Sequence, residues 1–328
     1  MAPGARRPGP DNLAKGTGMT TLIGRDIIRR CPGNPLVTLY DLPFRCADIY
    51  DAAVVKLDSQ YLLLVTIESL QGQCSIYRAH SADGRSFTVE STPFMSPARR
   101  GPSAKYENFG IRDPRITLLD GTYYIVYVVE GDLGVRLALA TTTDFDTCQR
   151  VGYLSEPDTK NGALFPRKID GRFALLDRPN EGSSIWIKYS DDLAFWGDHS
   201  LVMTPRGGYW DSDRIGAAAP PIEITQGWLL LYYGVKQTSG GPLFRLGAAI
   251  LDHDDPSRVL ARSGIPILSP REDYERTGDV NNLIFSTGAI LSDQNVLMVY
   301  YGGADSCLCL GTAPLDDVVR VCYEHGEF

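Results

Sequence analysis

Within residues 111–115 the chain reads Ile-Arg-Asp-Pro-Arg, which sets one carboxylate, Asp113, between two guanidinium groups and directly before a proline. A carboxylate at such a rigid turn has a fixed orientation and suits a general acid or a ligand for sugar hydroxyls; a structural salt bridge is the competing reading. Flanking arginines lower an aspartate's pKa, so an acid here needs compensating burial or a hydroxyl relay. Lys160, Arg178 and Arg214 lie at strand ends, where they could turn one positive face toward an oxyanion such as phosphate or carboxylate. Arg167 and Lys168 adjoin the turn at Asp170-Gly171 and read as solvated loop charge. Further carboxylates are Asp51, Glu68, Asp177, Glu181, Asp211, Asp213, Glu275 and Asp305. Trp210, Tyr232 and Tyr233 offer flat faces of the kind sugars stack on, whereas Trp228 reads as packing. There is no GxSxG, HExxH, GxGxxG or Walker motif, and the histidines at 80, 199, 253 and 325 are too scattered for a metal site.

These residues are distributed over a pattern that returns five times: an apolar run, a short polar turn often reading Asp-Gly, and a second run rich in aromatics. The copies span 50–69, 111–130, 160–179, 215–235 and 281–305. Their turns, near Asp58, Asp120, Asp170, Gln226 and Asp293, are 62, 50, 56 and 67 residues apart, a period that suits propeller blades once loops are allowed for. After each hairpin comes a third strand with a polar ending (Ala-Asp-Gly, Thr-Thr-Asp, Asp-Asp, Asp-His-Asp-Asp and Asp-Asp) and then a short fourth strand. Helix-period segments are scarce, with only 25–30 and 316–321 as candidates. The pattern predicts an all-β, five-bladed β-propeller with a central channel; a β-sandwich is the alternative. The first strand of each copy opens with Asp51, Arg112-Asp113, Lys160-Asn161, Arg214 or Asn281-Asn282, so polar side chains from five blades meet at one mouth, a pocket for a small hydroxylated ligand.

Composition narrows the class. With 328 residues and 43% hydrophobic content the chain can bury a large core, and a net charge of −8 argues against sequence-independent nucleic-acid binding. No apolar run is long enough for a membrane helix, and no signal-peptide core is present. Residues 1–20 are Pro/Gly-rich and read as a disordered leader, leaving 21–328 as one domain. Seven unevenly spaced cysteines argue against disulfides or a zinc site and suit a reducing cytoplasm. The sequence leaves homo-oligomerisation open.

Taken together, the chain resembles the β-mannoside phosphorylases and β-mannosidases of glycoside hydrolase family 130, which form five-bladed β-propellers. The resemblance rests on Gly33-Asn34-Pro35, 111–115 (IRDPR), 163–178 (ALFPRKIDGRFALLDR), 210–216 with Pro220-Pro221, 227–235 (GWLLLYYGV), Tyr274-Glu275 with Gly278, and 285–289 with 300–305. It implies that Asp113 is the catalytic acid, protonating the glycosidic oxygen through a sugar hydroxyl while phosphate attacks C1 from the opposite face, giving inversion and mannose 1-phosphate. It places Lys160, Arg178 and Arg214 at phosphate and Asp51, Thr66, Arg112, Asn161, Asp305 and Tyr233 at the sugar. A β-mannoside and inorganic phosphate are then the substrates, with no cofactor. Two positions depart from the family pattern: Tyr233 replaces the histidine of Tyr-His-Gly-Val, and Thr66 replaces an arginine. Loss of cations marks the hydrolytic branch, but three cations remain, so phosphorolysis is favoured. The alternatives are an inverting β-mannosidase with a base drawn from Glu181, Asp177 or Glu275, and a non-catalytic glycan-binding propeller.

Overall fold

The computed structural model of the protein describes residues 26–179 and 182–324. Strands dominate, and their pairing resolves five antiparallel blades. Blade 1 is Asp48–Leu57, Gln60–Glu68, Cys74–Ser81 and Thr88–Met95. Blade 2 is Gly110–Leu119, Thr122–Gly131, Gly134–Thr142 and Gln149–Tyr153. Blade 3 is Thr159–Leu164, Phe173–Pro179, Ile185–Ser190 and Gly197–Met203. Blade 4 is Arg214–Ala217 continued by Ile222–Ile224, then Gly227–Thr238, Gly241–Leu251 and Val259–Arg262. Blade 5 contributes Ile284–Leu291, Val296–Gly303 and Cys307–Pro314. A single parallel bridge, Cys74 to Gly110, links the first two blades.

Side-chain alternation explains why the second strand of each blade is a nearly unbroken apolar run. Successive residues of a strand face opposite sides, and here both sides are covered by a neighbouring blade. Leu62 and Leu64 pack toward blade 2, whereas Leu63 and Val65 pack toward blade 5. Likewise Trp228, Leu230 and Tyr232 face blade 3, and Leu229, Leu231 and Tyr233 face blade 5. The buried apolar residues fall into clusters between blades 1 and 2, 2 and 3, 3 and 4, 4 and 5, and 5 and 1. The last of these closes the ring.

The polar endings of the third strands share a local device. The hydroxyls of Ser81, Thr142 and Ser190 accept backbone N–H groups two and three residues on, at 2.9–3.3 Å. The carboxylates of Asp83, Asp144 and Asp192 bind the next turn of amides, which holds their pKa values below the ordinary range.

Blade 5 departs from the predicted plan. Its third strand runs directly into the helix Leu315–Glu324, which contains the helical candidate 316–321. The fourth strand comes from the other end of the chain: Arg29–Arg30 pairs with Gly311 and Thr312, and Val37–Thr38 pairs with Cys307 and Leu308. The helical expectation for 25–30 is therefore corrected over its described part, because Arg29 and Arg30 satisfy their backbone against a waiting sheet edge. Between these two strands Asn34 continues the ladder with its side chain, accepting from Leu310 N–H and donating to Leu310 C=O, both at 2.9 Å. Glu275 fastens the same segment. It is fully buried and receives Arg30 Nε and Nη2 at 2.7 Å each, Tyr301 Oη at 2.9 Å and Arg271 N–H at 2.7 Å. The expected leader at 1–20 lies outside the described residues. Among the described residues no helix is long and apolar enough to cross a membrane.

Candidate active site

The mouth is built by a repeated irregularity. In each of the first three blades the inner strand slips register against its neighbour: between Tyr50 and Ala53, between Arg112 and Arg115, and between Lys160 and Ala163. The bulged residues are Asp51, Asp113 and Asn161, all in the left-handed region at φ 56°, 60° and 57°. Aspartate and asparagine are the non-glycine residues that tolerate this conformation best. A bulge turns one side chain out of the strand's alternation, and three bulges at matching positions turn three polar side chains to one place. At Asp113 the following proline disfavours compact backbone, so the conformation is held by its surroundings.

Those surroundings are specific. Asp113 is 4% exposed, and its backbone N–H donates to Asp51 Oδ2 at 2.9 Å and to Thr66 Oγ1 at 3.2 Å. The Thr66 hydroxyl donates to the same Asp51 oxygen at 2.8 Å. Arg115 Nη1 lies 2.9 Å from Asp113 Oδ1. It is not aligned for a hydrogen bond there; it donates instead to the Asp113 carbonyl at 3.2 Å. Asp113 Oδ1 is therefore buried next to a positive charge yet has no hydrogen bond. Arg115 itself, 1% exposed, crosses from blade 2 to blade 4 and donates to the carbonyls of Ala218 and Ala217 at 2.6 and 3.1 Å.

Asp51 and Asp305 complete the acidic side. Burial pushes the Asp51 carboxyl up to about 8, reinforced by Asp113 and Asp305 against the pull of Thr66 and Arg112. Burial likewise pushes Asp305 up to about 7, with Asp279, Asp113 and Asp48 acting against Arg112. Arg112 is held by Glu130, whose Oε2 accepts Nη2 at 2.5 Å and Nε at 3.0 Å.

The cations gather on the other side. Arg178 is buried and its Nε donates to Asn161 Oδ1 at 3.0 Å; the Tyr233 hydroxyl donates to the same oxygen at 2.9 Å. Burial lowers the Lys160 pKa, and the Arg112 charge adds to this against the pull of Glu130 and Asp113. The Tyr233 phenol is raised by burial, within reach of the charges of Arg178, Arg214 and Asp113. Arg214 is partly exposed, with Nη1 2.8 Å from Asp213 Oδ2 and its guanidinium 5.2 Å from the Phe244 ring centre.

The structure thus brings Asp51, Thr66, Arg112, Asp113, Lys160, Asn161, Arg178, Tyr233 and Asp305 to one mouth, with Arg214 at its rim. Thr66 is fully enclosed and acts behind Asp51. Two of the carboxylates considered as a hydrolytic base are engaged elsewhere. Asp177 forms a buried ion pair with Lys188 at 2.7 Å, and Glu275 is the N-terminal fastener. Glu181 lies outside the described residues. Trp210 and Tyr232 stack on each other at 5.5 Å inside the core, so neither presents a sugar platform. Arg167 and Lys168 lie against Trp228 and Phe173. Among the described residues no group of His, Cys, Asp or Glu side chains is placed to hold a metal ion. Glu130 is the supporting residue that the motif reading passed over, and Arg115, read there only as a charge flanking Asp113, also ties blade 2 to blade 4. Hairpin pairing could have found Glu130, because it sits opposite Gly110, diagonal to Arg112 across the strand pair.

A closed five-bladed propeller whose mouth sets a buried acid against a cluster of cations is an architecture for transforming a hydroxylated, anion-accepting substrate. The chain belongs to glycoside hydrolase family 130: the family pattern described as beta-1,4-mannooligosaccharide phosphorylase matches residues 45–324. It is 38% identical over 234 residues to a beta-1,2-mannobiose phosphorylase of Listeria innocua, covering 70% of this chain and 63% of that one. It is 30% identical over 313 residues to a beta-1,4-mannooligosaccharide phosphorylase of Ruminococcus albus, covering 92% of this chain and 93% of that one. The solved structure of the Listeria innocua enzyme in complex with beta-1,2-mannobiose superposes with a TM-score of 0.82 at 29% identity, over 90% of this chain and 99% of that one.

Proposed function

We propose that the protein is an inverting β-mannoside phosphorylase, cleaving a β-mannoside with inorganic phosphate to give mannose 1-phosphate. The observation that carries this reading is the pairing, in one mouth, of a buried Asp113 oxygen without a hydrogen bond and the cations Lys160 and Arg178. A phosphate seated on Lys160, Arg178 and Arg214 would attack C1 as the glycosidic C–O bond breaks. The departing oxygen would take its proton through a sugar hydroxyl supplied by Asp113. Asp51, Arg112, Asn161, Asp305 and Tyr233 would hold the mannosyl unit, Thr66 acting through Asp51. Engagement of Asp177 and Glu275 in ion pairs supports phosphate over water as the nucleophile. Inorganic phosphate is then a co-substrate and no cofactor is required; the free cysteines fit a cytoplasmic site of action.

The test is incubation with short β-mannosides of each linkage, with and without phosphate, followed by identification of the product at C1. Phosphate-dependent α-mannose 1-phosphate is expected. Free mannose at an unchanged rate in phosphate-free buffer would assign the protein to hydrolysis instead.

A further inference from the structure

Blade 1 carries a second recess on the face that holds the mouth. It is a cleft of about 400 Å³ whose lining includes Phe44, Ile67 and Tyr77, buried or half-buried, and the exposed Arg45, Gln71 and Arg99. Its floor is fixed. The rings of Phe44 and Tyr77 stack at 5.3 Å with 28° between their planes, and Ile67 and Ser75, both in the lining, are partners across the second and third strands. The turn joining those strands is closed by Ser69 N–H to the Gln73 carbonyl at 3.0 Å and by Gly72 N–H to the Ser69 carbonyl at 2.8 Å. Gln73 Nε2 then donates to the Asn108 carbonyl at 3.2 Å, which braces the turn against the loop leading into blade 2.

The polar groups of the cleft are unspent. Among the described residues the side chains of Arg45, Gln71, Ser75 and Arg99 make no hydrogen bond or ion pair. An aromatic and aliphatic floor with a few polar groups is the usual make-up of a small-molecule site of this size. Guanidinium forks, an amide and a hydroxyl offer both donors and acceptors, the match for a row of sugar hydroxyls, while the rings suit a C–H face. An apolar ligand would strip water from those groups and give nothing back. An anion fits poorly, because both arginines are exposed and hydrated and two carboxylates stand close by. Those carboxylates, Asp48 and Glu68, are partners across the first hairpin. On one strand Asp48 falls between Asp51 of the mouth and Cys46 of the cleft; on the other Glu68 falls between Thr66 and Ser69. The two recesses are therefore continuous along blade 1. Thr66 and Ser69 are separated by roughly 10 Å of extended chain, the reach of a short saccharide.

We propose that this cleft is a second saccharide site, which holds the leaving-group units of a longer β-mannoside while the unit to be cleaved occupies the mouth. The inference rests on the phosphorylase reading and deepens it, since the preferred substrate is then an oligosaccharide rather than a disaccharide. The far ring lies over the floor made by Phe44 and Tyr77, with its hydroxyls toward Arg45, Gln71 and Arg99. These contacts are remote from the bond that breaks and are the same before and during the reaction. They therefore lower KM for long chains and leave kcat alone.

The test measures phosphorolysis of a β-mannobiose and of a β-mannotetraose of the same linkage by the wild type, by the double variant Arg45→Ala/Arg99→Ala and by Ser75→Phe. Both arginines are exposed and without internal partners, so the double variant should keep the wild-type melting temperature. Ser75→Phe fills the cleft from its floor. The wild-type KM should be about ten-fold lower for the tetraose than for the biose. Each variant should abolish most of that advantage, with the KM for the biose moving less than about two-fold. A wild type indifferent to chain length, or variants that weaken both substrates equally, would overturn the proposal. Calorimetric titration of the tetraose into Asp113→Asn, without phosphate, reads binding without turnover. Adding the cleft substitutions to that background should weaken binding about ten-fold, and unchanged affinity overturns the site. Titration with inorganic phosphate alone is the control: phosphate binding lost in the double variant, with the tetraose still bound as before, would make the cleft an anion site instead. If the wild type forms no mannose 1-phosphate from either sugar, the phosphorylase reading fails, and the titration with the tetraose alone decides on the cleft.

Discussion

The mouth of the propeller has two halves with opposite electrostatic problems. Blades 5, 1 and 2 crowd three carboxyls, Asp305, Asp51 and Asp113, into a space with too few uncommitted cations, and burial and repulsion raise the pKa values of Asp51 and Asp305. Blades 3 and 4 gather Lys160, Arg178 and Arg214 around the neutral oxygens of Asn161 and Tyr233, and the Lys160 pKa falls. The backbone device is shared across the divide, because Asp51, Asp113 and Asn161 sit in the same left-handed bulge. The side chain placed on the bulge decides the chemistry: Asp51 and Asp113 add carboxyls to the acidic side, whereas the amide of Asn161 accepts from Arg178 and Tyr233 and adds no negative charge to the cationic side. A reaction that donates a proton on one face of a sugar and accepts an anion on the other needs that division.

The strongest way to break the comparison is to neutralise the acid. Asp113→Asn should lower kcat/KM for phosphorolysis by about 10²–10⁴-fold, with near-native binding of a β-mannoside by calorimetry. Retained turnover would remove the acidic half from the mechanism. Glu275→Ala is the control outside both halves. Removing one partner of its buried network should cost about 3–5 kcal/mol of stability in denaturant unfolding. The protein that remains folded at low temperature should keep the wild-type KM for phosphate. A selective loss of hydrolytic turnover without loss of stability would instead make Glu275 a base.

The cationic half is tested by Lys160→Met, which keeps the length of the side chain and removes its charge. The KM for phosphate should rise about ten-fold, or ~1.4 kcal/mol, while binding of the mannoside without phosphate changes much less. Equal losses for both substrates would mean that the cations serve the sugar, and the functional division would fall. The acidic half also has a signature in stability. An aspartate that titrates near 3.9 when unfolded but at about 8 or about 7 in the fold binds its proton more tightly when folded. Its stabilising contribution is complete below pH ~4 and is lost as pH rises through those folded values. The melting temperature should therefore fall between pH ~5 and ~8 by more in the wild type than in Asp51→Asn. Parallel curves would mean that Asp51 is ionised throughout.

Much of this was legible before any coordinates, and the reasons are physical. Runs such as Leu62–Leu63–Leu64–Val65 and Trp228–Leu229–Leu230–Leu231 are buried on both faces because each blade lies between two others, so five apolar hairpins imply five stacked sheets. Asp113 and the cations stood out by their place at the openings of apolar strands, but that place left a structural salt bridge open for Asp113, and only the family resemblance gave these residues roles. The fourth strand of blade 5 was not visible, since Arg29 pairs with Thr312 across nearly the whole chain and no local pattern records that register. The same distance hid the pairing of Glu275, read from the sequence as a candidate base, with Arg30, 245 residues away. Thr66 looked like a missing cation in the substrate site, and only the cross-strand geometry revealed a hydroxyl holding Asp51.

Tyr233 lies nearest the boundary between the halves and gives the finest test. Its hydroxyl donates to Asn161 Oδ1, which also receives Arg178 Nε, so Tyr233→Phe removes one neutral hydrogen bond without orphaning the oxygen. The expected cost is about 1 kcal/mol of stability, or roughly 2 °C in melting temperature for a domain of this size. The KM for phosphate should change by less than about three-fold. Tyr233→His, restoring the residue usual in the family pattern, should instead lower the KM for phosphate, with the larger effect at acid pH, where an imidazole adds a positive charge. If both variants behave alike, Tyr233 supports Asn161 and nothing more. If they diverge as phosphate is varied, the phenol marks the edge of the anion site, and the cationic half extends into blade 4.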